Sequence, residues 1–160
     1  MIIIIKKEWF LVIDKIENLT EYLVKHNIKP SFQRIKILES LIKYNDHPTA
    51  DEVYNKVLEE IPTLSKSTVY NTINVFIEAN ILKGVYIEEN ELRYDAMTFS
   101  HGHFKCKQCD RIYDFEIDVD KIYNDSLNQF QIQEKDVYFK GLCSECIQVL
   151  DSVWESCNFI

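Results

Sequence analysis

Apolar side chains recur at three- and four-residue intervals through the first half of the chain and alternate in much of the second, so the pattern predicts helices followed by strands. Ile16, Leu19 and Leu23 line one face of a first helix that breaks at Asn27-Ile28-Lys29-Pro30. Ser31 is placed to cap a second helix carrying Ile35, Leu38, Leu41 and Ile42. Thr49-Ala50-Asp51-Glu52 reads as a capping box opening a third, which buries Val53, Val57 and Leu58 and ends near Pro62. Ser65 caps a fourth, with Val69, Ile73, Phe76 and Ile77 facing inward. Residues 81–87 and 91–95 are extended runs around the polar tip Glu88-Glu89-Asn90, a hairpin. Helices followed by a two-stranded wing make a winged helix-turn-helix, and the helix before the wing is the one expected in a major groove.

Beyond the hairpin, residues 104–106, 112–115 and 137–142 read as strands. A helix is expected at about 119–129 between the last two, and another after Cys146. The predicted fold class is α+β, an N-terminal winged helix-turn-helix followed by a small α/β domain. The expected boundaries are 1–92, with 1–13 as an N-terminal extension, and 93–160. So small a second lobe buries little apolar area and calls for an extra staple.

Composition narrows the class. With 46% hydrophobic residues among 160, and only 3 Gly and 3 Pro, a linker-rich or low-complexity chain is excluded. No apolar stretch is long enough to span a membrane. The run Ile2-Ile3-Ile4-Ile5 is broken by Lys6, Lys7, Glu8, Asp14 and Lys15, and no small-residue cleavage site follows, so a cytoplasmic protein is expected. The net charge of −8 opposes binding to a polyanion, but it is unevenly spread. Residues 1–84 carry 11 basic and 11 acidic residues, whereas residues 85–160 carry 7 and 15. Two halves with different tasks are implied, and a neutral first half binds DNA if its cations share a face.

The staple is visible in the cysteines. Cys106-Lys107-Gln108-Cys109 and Cys143-Ser144-Glu145-Cys146 are two C-x2-C knuckles separated by residues 110–142. Two residues between cysteines let both thiolates face one ion, and two knuckles complete a tetrahedral site suited to Zn2+. A redox dithiol normally stands alone beside a βαβ unit, and structural disulfides are rare in the cytosol. A closed four-thiolate shell leaves no open position, so this metal folds the lobe and does no chemistry. Cys157 has no partner in the pattern and reads as a free thiol.

Four histidines occur in the chain. His101-Gly102-His103 precedes the first knuckle, and in an extended segment both imidazoles point to one side. Such a pair is as readily a ligand pair as it is an outer shell to the zinc or a solvated pair. Asp95 ends the wing, Asp114 follows the first knuckle on a strand, and His47 stands in the loop before the third helix. Spacing alone does not recruit the last three.

In several ordered elements the chain resembles the ferric uptake regulator family of bacterial metal-dependent repressors, most closely its peroxide-sensing branch. The matching elements are Gln33-Arg34, then the stretch His47-Pro48-Thr49-Ala50-Asp51-Glu52-Val53-Tyr54, then Ser67-Thr68-Val69-Tyr70-Asn71 and Arg93-Tyr94-Asp95. They continue through His101-x-His103-x2-Cys106-x2-Cys109, Asp114-Phe115 and the second knuckle. The resemblance implies a homodimer on double-stranded operator DNA, with the second domain dimerising and sensing metal, and no enzyme activity. It also implies a regulatory Fe2+ or Mn2+ ligated by His47, Asp95, His101, His103 and Asp114. Imidazole and carboxylate donors suit those ions, while thiolates take zinc. Asp114 carries the branch assignment, since iron-uptake regulators usually have glutamate there. The absence of any histidine after His103 removes a further metal site of the iron-uptake regulators. In peroxide sensors bound Fe(II) reacts with hydrogen peroxide and a ligand histidine is oxidised; the matching positions are His101 and His47.

The chain departs from the family in places. Ser31-Phe32 stands where Thr-Pro is usual, residues 1–13 extend beyond the usual start, and Asn74 replaces a common basic residue. The tail, with Val149, Val153 and Trp154 at helical spacing, reads as a packing helix. For DNA, Thr68, Tyr70 and Asn71 are the candidates for bases or sugars, with Arg34 and Lys66 on phosphates. The plain alternative for Tyr70 is to cover the helix-packing face. A zinc-stapled non-haem iron enzyme would leave the helix-turn-helix without a purpose, and a zinc-folded protein adaptor would lack salt-dependent DNA affinity.

Overall fold

The computed structural model describes residues 18–43, 46–87, 91–96, 100–122 and 124–157. The extension 1–13, Ile16 and the hairpin tip 88–90 lie outside the described residues, as do the side chains of Val153, Trp154 and Cys157. These residues separate into two compact units, one ending at Ala96 and the other beginning at Ser100.

The first unit has four helices and a wing: α1 (Leu19–Lys25), α2 (Phe32–Lys43), α3 (Ala50–Leu58), α4 (Lys66–Glu78), β1 (Lys83–Val85) and β2 (Arg93–Asp95). The predicted caps form. Arg34 N–H donates to Ser31 Oγ at 3.3 Å, Glu52 N–H to Thr49 Oγ1 at 3.2 Å, Thr49 N–H to Glu52 Oε2 at 2.7 Å, and Thr68 N–H to Ser65 Oγ at 3.2 Å. Helices α1 and α4 end in Schellman turns with asparagine in the left-handed position, Asn27 at φ 59° and Asn80 at φ 54°. The closing bonds run from Ile28 N–H to Leu23 O and from Ile81 N–H to Phe76 O. The core joins Leu23, Ile37, Leu38, Leu41, Val53, Val57, Val69, Ile73, Phe76 and Ile81, from every helix and the segment after α4. Leu58 and Ile77 pack at its edge and are half-buried. In the wing, β1 and β2 pair antiparallel with Gly84 opposite Tyr94, and Thr49 bridges to Arg93.

The second unit is a three-stranded sheet in the order β4-β3-β5, followed by a helix. Its elements are β3 (Gly102–Cys106), β4 (Ile112–Phe115), β5 (Tyr138–Gly141) and α5 (Ser144–Cys157). Strand β3 runs antiparallel to β4 and parallel to β5, so residues 116–137 form a crossover. The expected helix at 119–129 is replaced by two short 3₁₀ turns, Val119–Lys121 and Asp125–Leu127. Asn124 separates them: it is extended, at φ −139° and ψ 125°, and its side chain accepts from Ser126 N–H. A side chain that caps a turn competes with helix propagation. Helix α5 starts at Ser144, so Cys146 lies inside its first turn and not ahead of it. Among the described residues of this unit, Val119 is the sole buried aliphatic side chain. So thin a core needs a cross-link. No helix among the described residues is long and apolar enough to cross a membrane.

Candidate metal centres and nucleic-acid interface

The first knuckle starts at the end of β3, and the second runs from Cys143, just before α5, to Cys146 in its first turn. Asp110, left-handed at φ 58°, turns the first knuckle, and its amide returns to Cys106 O. All four cysteines are free thiols, and their sulfurs lie within 4.8 Å of one another. Cys109 Sγ and Cys143 Sγ are 3.8 Å apart, too far for a disulfide. A tetrahedron with metal–sulfur bonds of about 2.3 Å has an edge of about 3.8 Å, so the set fits a structural zinc. Backbone amides already favour thiolate there: Cys143 N–H donates to Cys106 Sγ at 3.3 Å. Burial pushes the Cys106 thiol up, but the amides of Cys109, Cys143 and Gln108 outweigh it and bring it down to about 6.

Also in the second unit, the alternation across Gly102 brings His101 and His103 to one side of the strand, with their Nε2 atoms 3.1 Å apart. Asp114, opposite His103 on β4, places Oδ1 3.8 Å from each Nε2. Ligands at right angles around an ion with bonds of about 2.1 Å lie roughly 3 Å apart, a spacing that the two imidazoles match and that the Asp114 carboxylate exceeds at 3.8 Å. Gly102 is required between the histidines because a Cβ there would meet the Phe115 ring at 2.3 Å. That ring is itself stacked on Phe139 at 5.1 Å. Tyr138 stacks against the His103 ring at 5.7 Å.

In the first unit, His47 and Asp95 are paired, with Nε2 and Oδ2 4.0 Å apart and both residues 1% exposed. His47 has φ 53°, a left-handed conformation that costs a non-glycine residue roughly 1 kcal/mol. Strain of this kind concentrates where a side chain must be aimed. The imidazoles and carboxylates of both units are donors suited to a regulatory Fe(II) or Mn(II).

The five residues expected to meet DNA all belong to the first unit. Arg34, Thr68 and Asn71 line one groove of about 390 Å³ between the start of α2 and α4. Arg34 also donates to Lys29 O at 2.7 Å across the turn into α2. Lys66 and Tyr70 stand elsewhere, exposed, and share one carboxylate. Lys66 Nζ is 3.0 Å from both oxygens of Asp51, and the Tyr70 hydroxyl donates to Asp51 Oδ1 at 3.1 Å. Tyr70 is 43% exposed, so it does not cover a packing face. Reading the sequence assigns Asp51 only to a helix start and gives Arg93 no role beyond a motif. Both roles depend on contacts across elements, which spacing along the chain does not carry.

The sequence model of the ferric uptake regulator family matches residues 25–140. The peroxide-responsive repressor of Staphylococcus saprophyticus is 30% identical over 135 residues, 82% of this chain and 91% of that protein. Its counterpart in Staphylococcus aureus is 32% identical over 118 residues, 71% and 79% of the two chains. Among solved structures, the ferric uptake regulator of Vibrio cholerae superposes with a TM-score of 0.64 at 24% identity, over 79% of this chain and 100% of that one. That of Helicobacter pylori gives 0.64 at 20% identity over 87% and 93%. These two likenesses speak to the fold alone.

Proposed function

Since the chain belongs to the ferric uptake regulator family of metal-responsive regulators, we propose that it is a DNA-binding transcriptional repressor that senses hydrogen peroxide. On this reading it acts as a homodimer on double-stranded operator DNA. The ligands this reading gives the regulatory Fe(II) or Mn(II) are His47, Asp95, His101, His103 and Asp114. Fe(II) bound there supplies the reduction of hydrogen peroxide. The chain's own part is to present His101 and His47 as oxidisable ligands, to hold the carboxylates that keep the ion, and to lose its grip on DNA when a ligand imidazole is spoiled.

The observation that carries the peroxide reading is Asp114, 3.8 Å from both His101 and His103, at the position where the iron-uptake branch usually has the longer glutamate. The apolar surface of the second unit supports a dimer. Ile122, Phe130, Ile132, Phe139 and Ile147 are each more than 40% exposed, apolar area that a second copy of the chain would cover. For DNA, support comes from Arg34, Thr68 and Asn71 sharing one groove at the start of the helix before the wing.

The test uses protein purified without oxygen and loaded with Fe(II) or Mn(II), bound to a duplex of upstream DNA. Peroxide is expected to release the Fe(II) protein and leave the Mn(II) protein bound, with one oxygen atom added to the peptide carrying His101 or His47 by mass spectrometry. Asp114→Glu is expected to keep metal-dependent DNA binding and lose the peroxide response. An Fe(II) protein that holds its duplex through peroxide is instead an iron-, zinc- or manganese-responsive uptake regulator without peroxide chemistry.

A further inference from the structure

The loop bearing His47 and the strand bearing Asp95 are stitched together by one side chain. Arg93 Nη1 donates to the backbone carbonyl of His47 at 3.1 Å, and the same nitrogen is 3.5 Å from Glu52 Oε2. Arg93 Nη2 donates to Glu91 Oε2 at 2.7 Å. Around this fork the backbones are also joined, by the Thr49–Arg93 bridge and by Tyr94 N–H to Pro48 O at 3.0 Å. Glu52 closes the circuit by accepting from Thr49 N–H at 2.7 Å.

We propose that Arg93 is the positioning residue of the regulatory metal half-site. It holds His47 in its left-handed conformation and sets the separation between the His47 imidazole and the Asp95 carboxylate. This inference rests on the reading of His47 and Asp95 as metal ligands. The physical argument is that a left-handed histidine reverts to a commoner conformation unless neighbouring groups hold it. The His47 carbonyl is the handle, and a planar guanidinium bridges that carbonyl and two carboxylates at once. An ammonium has no fixed fork, so lysine keeps the charge but not the geometry. Groups that orient a ligand typically change metal affinity by 10- to 100-fold when removed.

The experiment uses the full zinc-loaded chain and reads Mn(II) affinity by electron paramagnetic resonance of the free ion, for Arg93→Lys, Arg93→Ala and His47→Ala. Hydrogen exchange of the Tyr94 amide is followed on the same proteins without Mn(II). Arg93→Lys is expected to weaken Mn(II) binding about tenfold and to speed exchange of that amide, with zinc content unchanged. Arg93→Ala is expected to weaken it at least as much. A purely structural role predicts a lower melting temperature with unaltered Mn(II) affinity in the molecules that remain folded, and that result overturns the proposal. If His47→Ala weakens Mn(II) binding while both Arg93 variants bind like the parent, the positioning role alone is wrong. If His47→Ala binds like the parent, the metal reading of His47 falls, and this inference with it.

Discussion

At Gly102 a single missing methyl decides the geometry of two histidines. The residue lies opposite Phe115 in the β3–β4 register, and a Cβ would come within 2.3 Å of the ring. The ring is stacked on Phe139 with only 5° between their planes, so moving it disturbs that contact. Gly102→Ala must therefore move either the ring or the strand, at a cost of about 1–3 kcal/mol. A domain this small converts that into a fall of several degrees in the melting temperature, read by calorimetry on zinc-loaded protein. An unchanged melting temperature would mean that the aromatic stack is loose. Reading the H-x-H spacing was enough to foresee that His101 and His103 share a side, since alternation in a strand is a local rule. The need for glycine between them was not legible, because it comes from a ring on a neighbouring strand. For the same reason the left-handed turn at His47 went unforeseen: its fork of support comes from Arg93, far along the chain.

At the scale of elements, helices whose ends carry their own capping chemistry were the legible part of the fold. Thr49 with Glu52, Ser31 and Ser65 each mark a start that depends on atoms within three residues. The stretch 119–129 misled because its apolar residues have helical spacing but little to pack on; Ile122 and Leu127 are 52% and 41% exposed. An amphipathic stripe predicts a helix only if something receives it. The contact between α3 and α4 is a second case of tertiary information. Asp51, read as part of a cap, draws Lys66 and Tyr70 together, and its carboxyl is held below the usual carboxylate value by Lys66 first and Tyr70 second. The carboxylate therefore stays ionised as the pH falls below that of a free aspartate, and Lys66 stays engaged. Asp51→Asn frees the ammonium for phosphate. Affinity for a random duplex should rise, and the slope of log affinity against log salt should steepen by about 0.9. Glu59→Gln, at the far end of the same helix, is the control for a bare change in net charge. Equal slopes in the two variants would show that Asp51 does not restrain Lys66.

For the whole molecule, the uneven charge and the two donor sets meet in one thermodynamic statement. The acidic excess lies in residues 85–160, so the neutral first half is left to meet a polyanion, and affinity depends on how its few cations are presented. If metal favours the state in which they are well presented, metal and DNA each tighten the other by one common factor. Mn(II) is the ion to use, because it suits imidazole and carboxylate donors and brings in no peroxide chemistry. The expected outcome is that Mn(II) tightens binding to an upstream duplex at least tenfold by fluorescence anisotropy, and that the duplex tightens Mn(II) by the same factor by electron paramagnetic resonance. His47→Ala and His103→Ala, one from each unit, should each bring both factors toward one while the zinc remains bound. Unequal factors in the parent protein would mean that the ion acts outside this equilibrium, for example on the duplex itself. A variant that loses one factor and keeps the other would show that metal binding and DNA binding are not linked through these residues.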